Sequence, residues 1–214
     1  MRGAFIVLEG IDNAGKTAAC AAIKKEMGDE VEVIRFPTRE GILGAAIGPY
    51  MHGEGPLNHE AAHLLLAADR WRQEDHIVAL LKAGTTVICD RHSDSAVAYT
   101  RALSNQNLSL DWCFSTEVGL TDPDYVIFMD VTPSNAAERY GRAEPYEEAV
   151  QFQSRLLEAY SELKQDHWIH VDANQPLDTV AARVIDLCVR IIEKVRIVEA
   201  YAELGRLNRD YREQ

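Results

Sequence analysis

"FIVLEGIDNAGKTAACAAIKKEM", Phe5 to Met27, reads as a strand, a glycine-rich turn and a helix in direct succession. Within it "GIDNAGKT", Gly10 to Thr17, fits G-x-x-x-x-G-K-[ST] and has the flanks that pattern demands, an apolar β-branched run before it and a helix-forming run after it. Glycines at these positions let backbone N–H groups turn inward around phosphate oxygens, and the helix N-terminus adds its partial positive charge. Gly10, Asn13, Ala14, Gly15, Lys16 and Thr17 are therefore expected to hold ATP. Lys16 would reach the β and γ phosphates, and Thr17 would offer its hydroxyl to Mg²⁺.

Outward from this loop the pattern repeats in kind. Short apolar runs at 4–10, 31–36, 85–90, 125–130 and 168–172 read as buried strands, with helical periodicity at roughly 15–27, 58–83, 93–118, 146–165 and 177–195. Strands alternating with helices predict an α/β fold, a five-stranded parallel sheet flanked by helices, in one domain over 1–214. "HGEGPLN", 52–58, reads as a loop, and the tail "EKVRIVEAYAELGRLNRDYREQ" as an amphipathic helix broken near Gly205. "TTVICDR" ends a strand on Asp90 and Arg91, which places a carboxylate for Mg²⁺ and a cation at the same crevice as the phosphate loop.

Composition narrows the partners. With 22 basic against 34 acidic residues the net charge is −12, which repels a nucleic-acid backbone, although local arginines can still grip a small anion. Cys20, Cys89, Cys113 and Cys188 form no C-x-x-C pair and suggest neither a zinc ribbon nor a disulfide framework. Nothing resembles a signal peptide or a membrane span, so a cytoplasmic protein is expected, with the nucleus left open. The sequon Asn107-Leu108-Ser109 is then unused.

One stretch points elsewhere. "NHEAAHLLLAADRW", Asn58 to Trp71, contains His59-Glu60-x-x-His63, the pattern by which a helix presents two zinc ligands and a general base. No third ligand is evident, since Glu74 and Asp75 lie on the same helix and could not close a tetrahedral site without bending it. Both histidines are expected at a surface or interface, and Leu64-Leu65-Leu66 is expected to face the sheet.

The chain resembles thymidylate kinases, in particular the eukaryotic and poxviral kind. The likeness runs through "RGAFIVLEGIDNAGKT", "RFPTRE", "LLLAADRW", "VICDRHSDSAVAY", "NLSLDWC", "VGLTDPDYVIF", "PYEEAVQFQ" and "VDA". It implies phosphoryl transfer from ATP to dTMP with Mg²⁺, usually by a homodimer. It puts phosphate-reading arginines on Arg39, Arg70 and Arg91, a carboxylate for the sugar 3′-hydroxyl on Asp12, and Asp172 on the ATP side. It also places Phe36, Leu66, Ser95, Tyr99, Tyr146 and Gln153 around the sugar and base.

The departures matter as much. Asn13 stands where eukaryotic relatives carry an Arg in the phosphate loop, and Leu66 where they stack an aromatic on thymine. The first moves the catalytic cation into a lid at about 136–148, on Arg142 or Arg139, beside Lys16, Asp12 and Arg91. The second relaxes base selectivity. Alternatives are a monophosphate kinase with another or broader base preference, and a P-loop regulator that binds nucleotide without transferring it.

Overall fold

The structure is a computed structural model that describes residues 1–104, 107–140, 146–198 and 203–209. Five parallel strands lie in the order β2 (Val31–Arg35), β3 (Thr86–Asp90), β1 (Phe5–Glu9), β4 (Tyr125–Asp130), β5 (Trp168–Asp172). All five residues of β1 are buried, as an uninterrupted apolar run at the centre of a covered parallel sheet requires. From β1 the chain leaves to β2 on one side, while β4 pairs with β1 on the other. The crevice beyond the carboxyl ends of β1 and β3 is thus a topological switch point, where α/β sheets bind ligands. The register sets Leu8 beside Asp90 and Arg35 beside Asp90, bringing three strand ends to that crevice.

The helices are α1 (Lys16–Met27), α2 (Gly41–Met51), α3 (His59–Lys82), α4 (Ser93–Leu103), α5 (Leu110–Ser115), α6 (Pro133–Tyr140), α7 (Tyr146–Leu163) and α8 (Leu177–Val198). Helix α1 packs on α8, and α4 packs on α3 and α7. Asn58 caps α3 by accepting from Ala61 N at 2.9 Å, and Ser109 caps α5 by accepting from Trp112 N at 3.2 Å. The second cap explains why the single helix expected over 93–118 is two.

One helix was not anticipated, and two further expectations change. Residues 41–51 carry three glycines and Pro49, a poor helical sequence, yet form α2. Gly44 lets that helix approach the preceding loop so closely that a Cβ would sit 2.5 Å from the Arg39 carbonyl carbon. Leu64 is half exposed, and Leu66 packs with Ile47 and Ala96 in a small cluster apart from the main core rather than on the sheet. The tail is not helical around Gly205. Residues 203–209 run back along 119–122, with Leu207 buried and its N–H donating to Leu120 O at 2.9 Å. Arg206 pairs with Glu74, and Arg209 with Asp94 at 2.5 Å, so this part of the tail packs on its own body. No helix among the described residues is long and apolar enough to cross a membrane.

Candidate active site

The phosphate loop needs three left-handed residues, and the sequence supplies two glycines and an asparagine: Gly10 (φ 136°), Asn13 (φ 57°) and Gly15 (φ 98°). A Cβ on Gly10 would lie 2.8 Å from Met129 O, whereas Asn13 needs no such clearance and is among the residues that tolerate this region. Helix α1 starts with no side-chain cap, which leaves its first N–H groups for an anion. Lys16 is buried, its Nζ donating to Gly10 O at 2.9 Å and Ile11 O at 2.6 Å. Burial, then the Arg91 charge, pulls its ammonium down to about 7 against the opposing pull of Asp12, Asp90 and Glu9.

Thr17 Oγ1 donates to Asp90 Oδ2 at 2.7 Å, while Asp90 Oδ1 is buried with no hydrogen-bond partner. An exposed hydroxyl beside an orphaned carboxylate oxygen suits Mg²⁺, which binds through one or two protein oxygens, waters and substrate phosphates. Arg139 on α6 is already occupied. Its Nη1 donates to Asn13 O at 3.0 Å and its Nη2 to Ala173 O at 2.6 Å and Gln175 O at 2.9 Å, stitching the loop to the turn after β5. Asp172 builds that turn, accepting from Asn174 N at 3.0 Å and Gln175 Nε2 at 3.1 Å. Arg142 and the side chain of Tyr146 lie outside the described residues.

A larger cavity of about 900 Å³ adjoins the loop and is lined by Phe36, Arg39, Leu66, Arg70, Arg91, Ser95, Tyr99 and Gln153, the acceptor-side residues expected from the sequence. Its focus is Asp12. Oδ1 accepts from Arg91 Nη2 at 2.7 Å and Tyr99 OH at 2.5 Å, and Oδ2 from Gln153 Nε2 at 3.0 Å. Burial would raise the Asp12 carboxyl, but Arg91, Tyr99 and Gln153 outweigh it and hold the group below the usual carboxylate range. Arg91 (φ 72°) also donates to Gly10 O at 3.1 Å and lies over the Tyr99 ring, 5.0 Å from its centre. Arg39 is exposed in the loop after β2 and has no hydrogen-bond partner among the described residues.

Several partners of these residues were not anticipated. Glu9, fully buried at the end of β1, accepts from His92 N at 2.9 Å, Ser95 N at 3.1 Å, Ser95 Oγ and Tyr160 OH at 2.9 Å. It fixes the first turn of α4, and Ser95 serves that network as well as the cavity wall. A carboxylate closing an apolar strand next to a phosphate loop was the available signal. Arg70 is buried and bound at both forks to Glu117, Nε to Oε2 at 2.6 Å and Nη2 to Oε1 at 2.5 Å. Asp69 accepts from Thr38 N at 2.7 Å and so pins the loop that carries Arg39.

His63 is fully buried, contrary to expectation. Its Nδ1 pairs with Thr100 Oγ1 at 2.8 Å and its Nε2 with Cys113 O at 2.8 Å, so neither ring nitrogen is left for a metal. His59 Nδ1 pairs with Tyr50 OH at 2.9 Å, and among the described residues no cluster of ligating side chains could hold a metal ion. Purified protein should contain no stoichiometric zinc by elemental analysis. His59→Ala should leave activity intact, whereas His63→Ala should cost about 1–3 kcal/mol in denaturant melts by orphaning Thr100 and Cys113 O. Zinc whose removal ends activity would restore a zinc site at His59 and His63.

A phosphate loop with an uncapped helix behind it, facing a second cavity across Asp12 and Arg91, defines a P-loop phosphotransferase of the nucleotide kinase class. A model of the family "Thymidylate kinase" matches residues 8–184. The chain is 38% identical over 192 residues to the human thymidylate kinase, covering 84% of this chain and 86% of that one. It is 37% identical over 186 residues to the Arabidopsis thaliana enzyme, covering 86% of this chain and 70% of that one. The solved Candida albicans thymidylate kinase, whose structure is described as revealing the origin of its broad substrate specificity, superposes with a TM-score of 0.81 at 25% identity over 97% of this chain and 99% of that one. This chain belongs to the thymidylate kinase family and is an enzyme.

Proposed function

We propose that this enzyme transfers the γ-phosphoryl group of ATP to dTMP, a step of dTTP synthesis. The observation that carries the reading is the meeting of the two cavities, the smaller over Lys16 and Thr17 and the larger under Phe36 and Leu66, with Asp12, Asn13, Arg35 and Arg91 lining both. ATP takes the loop, and the acceptor monophosphate enters from the other side toward Arg91 and the unpartnered Arg39, whose guanidinium suits a dianion. Asp12, kept ionised by its neighbours, accepts from the sugar hydroxyl. Phe36 and the Leu66–Ile47–Ala96 cluster enclose the base. Thr17 and Asp90 would hold Mg²⁺, which when bound neutralises charge on the phosphates.

The role of Arg70 changes on this reading. Its charge is already matched by Glu117, so the pair serves a neutral carbonyl at the base edge better than a phosphate dianion. Arg139, spent on three carbonyls, shapes the donor side rather than swinging over the phosphates. The family likeness also carries a homodimer, for which α3 offers the half-exposed Leu64 and Trp71, and four buried free cysteines fit a reducing cytoplasm.

A coupled assay with ATP against deoxynucleoside and nucleoside monophosphates tests the reading. dTMP should be the best acceptor, with dUMP or dGMP measurable because Leu66 offers no ring to stack. Leu66→Phe should raise the dTMP to dUMP ratio of kcat/KM by about two- to tenfold, the worth of one aromatic contact. An unchanged ratio removes Leu66 as the determinant. Transfer to no monophosphate would favour a binding protein instead.

A further inference from the structure

Arg35 ends β2 and stands beside Asp90 in the parallel register. It lines both cavities, a property it shares with Asp12, Asn13 and Arg91 alone among their lining residues. Of the four, Arg35 alone brings a cation to that junction with no hydrogen bond yet made. Asp12 is an anion, Asn13 is neutral, and Arg91 is spent on Asp12, Gly10 O and Ser95 Oγ. Arg35 is held only by a long ion pair: its Nε lies 3.8 Å from Asp90 Oδ2, beyond hydrogen-bond reach, its side chain is 39% exposed, and it makes no hydrogen bond among the described residues.

An arginine closing an edge strand is ordinarily a solvated surface residue. Two facts separate this one from that case. It lines both the donor and the acceptor cavity, and a buried carboxylate lies 3.8 Å from its Nε without occupying its donors. Of the other cations over the loop, Lys16 is bonded to two carbonyls and Arg139 to three. Charge spreads over the oxygens of a phosphoryl group in flight, and a preorganised cation there stabilises the transition state more than either ground state.

We propose, on the kinase reading above, that Arg35 is a catalytic residue which contacts the transferred phosphoryl group at the junction of the donor and acceptor cavities and supplies the charge that Asn13 does not. The γ-phosphorus–bridging-oxygen bond of ATP breaks, the acceptor phosphate oxygen forms the new bond, and ADP leaves with the bond's electron pair. Arg35 donates to the equatorial oxygens throughout and exchanges no proton.

The test uses the full chain with whichever monophosphate the parent phosphorylates fastest. Arg35→Ala should lower kcat by ~100-fold while the acceptor KM stays within about threefold, and Arg35→Lys should fall between the two. In the presence of ADP, acceptor and aluminium fluoride the parent should form a tight ternary complex. Arg35→Ala should fail to form it although it binds ADP and acceptor separately as the parent does. Asn13→Arg placed in the Arg35→Ala protein should recover at least about tenfold in kcat, since both positions border the same junction. A kcat for Arg35→Ala within about threefold of the parent overturns the proposal, as does a loss in ADP affinity as large as the loss in kcat, which a mere prop for Asp90 would give. A parent that phosphorylates another monophosphate and not dTMP corrects the substrate and leaves Arg35 under test. A parent that transfers to none sinks both readings.

Discussion

Lys16→Met should nearly abolish phosphoryl transfer, by about a hundred- to a thousandfold in kcat, while leaving the fold as stable as before or more so. The two halves of that expectation have one cause. Lys16 is buried under the loop with its Nζ on the carbonyls of Gly10 and Ile11, and burial together with the Arg91 charge disfavours its ammonium. In the free enzyme this charge is an electrostatic cost that the fold bears for the ligand. Polyphosphate reverses the balance by placing oxygens where the ammonium points. A methionine fills the same slot without the charge, so the strain goes and the catalysis goes with it. Thermal melts and steady-state kinetics on one preparation decide the matter. A variant that loses several degrees of Tm yet keeps its kcat would show that Lys16 is structural.

Much of this could be read in advance because it depends on local sequence. The phosphate loop announces itself, since its glycines, lysine and threonine are demanded by one turn and one helix start. The five strands are continuous apolar runs because a covered parallel sheet buries both faces. What stayed hidden depends on distant partners. Arg70 looked like a free phosphate reader because nothing in "AADRW" reveals that Glu117 lies across from it. His63 looked superficial because Thr100 and Cys113, which bond both its nitrogens, are 37 and 50 residues away. Arg139 looked like a mobile lid cation, yet it is the brace between Asn13 and the turn after Asp172. Arg35 went unremarked in "RFPTRE" because its significance lies in register, beside Asp90, and no periodicity encodes that.

Glu117→Ala should be among the most damaging single changes to stability in this enzyme, costing about 3–5 kcal/mol. Arg70 and Glu117 are both buried and bound at two points, so removing the carboxylate leaves without its counter-charge a guanidinium that is almost wholly out of water and does not deprotonate. For a chain of this length such a loss lowers Tm by about 6–20 degrees. The pair itself need not stabilise the fold, because a desolvated ion pair gains in attraction little more than it loses in hydration. Replacing both members, Arg70→Met with Glu117→Leu, should therefore recover most of the stability that Glu117→Ala loses. Activity should not return with it. If Arg70 reads the base as proposed, the double variant should show a raised acceptor KM and a flattened preference among dTMP, dUMP and dGMP, because the cavity would have lost that donor. Chemical melts of the three proteins, set beside kcat/KM for each acceptor, separate the two roles. If the double variant is stable and still discriminates among bases as the parent does, the pair is scaffolding and base recognition lies with Phe36, Leu66 and His92, which share the cavity wall.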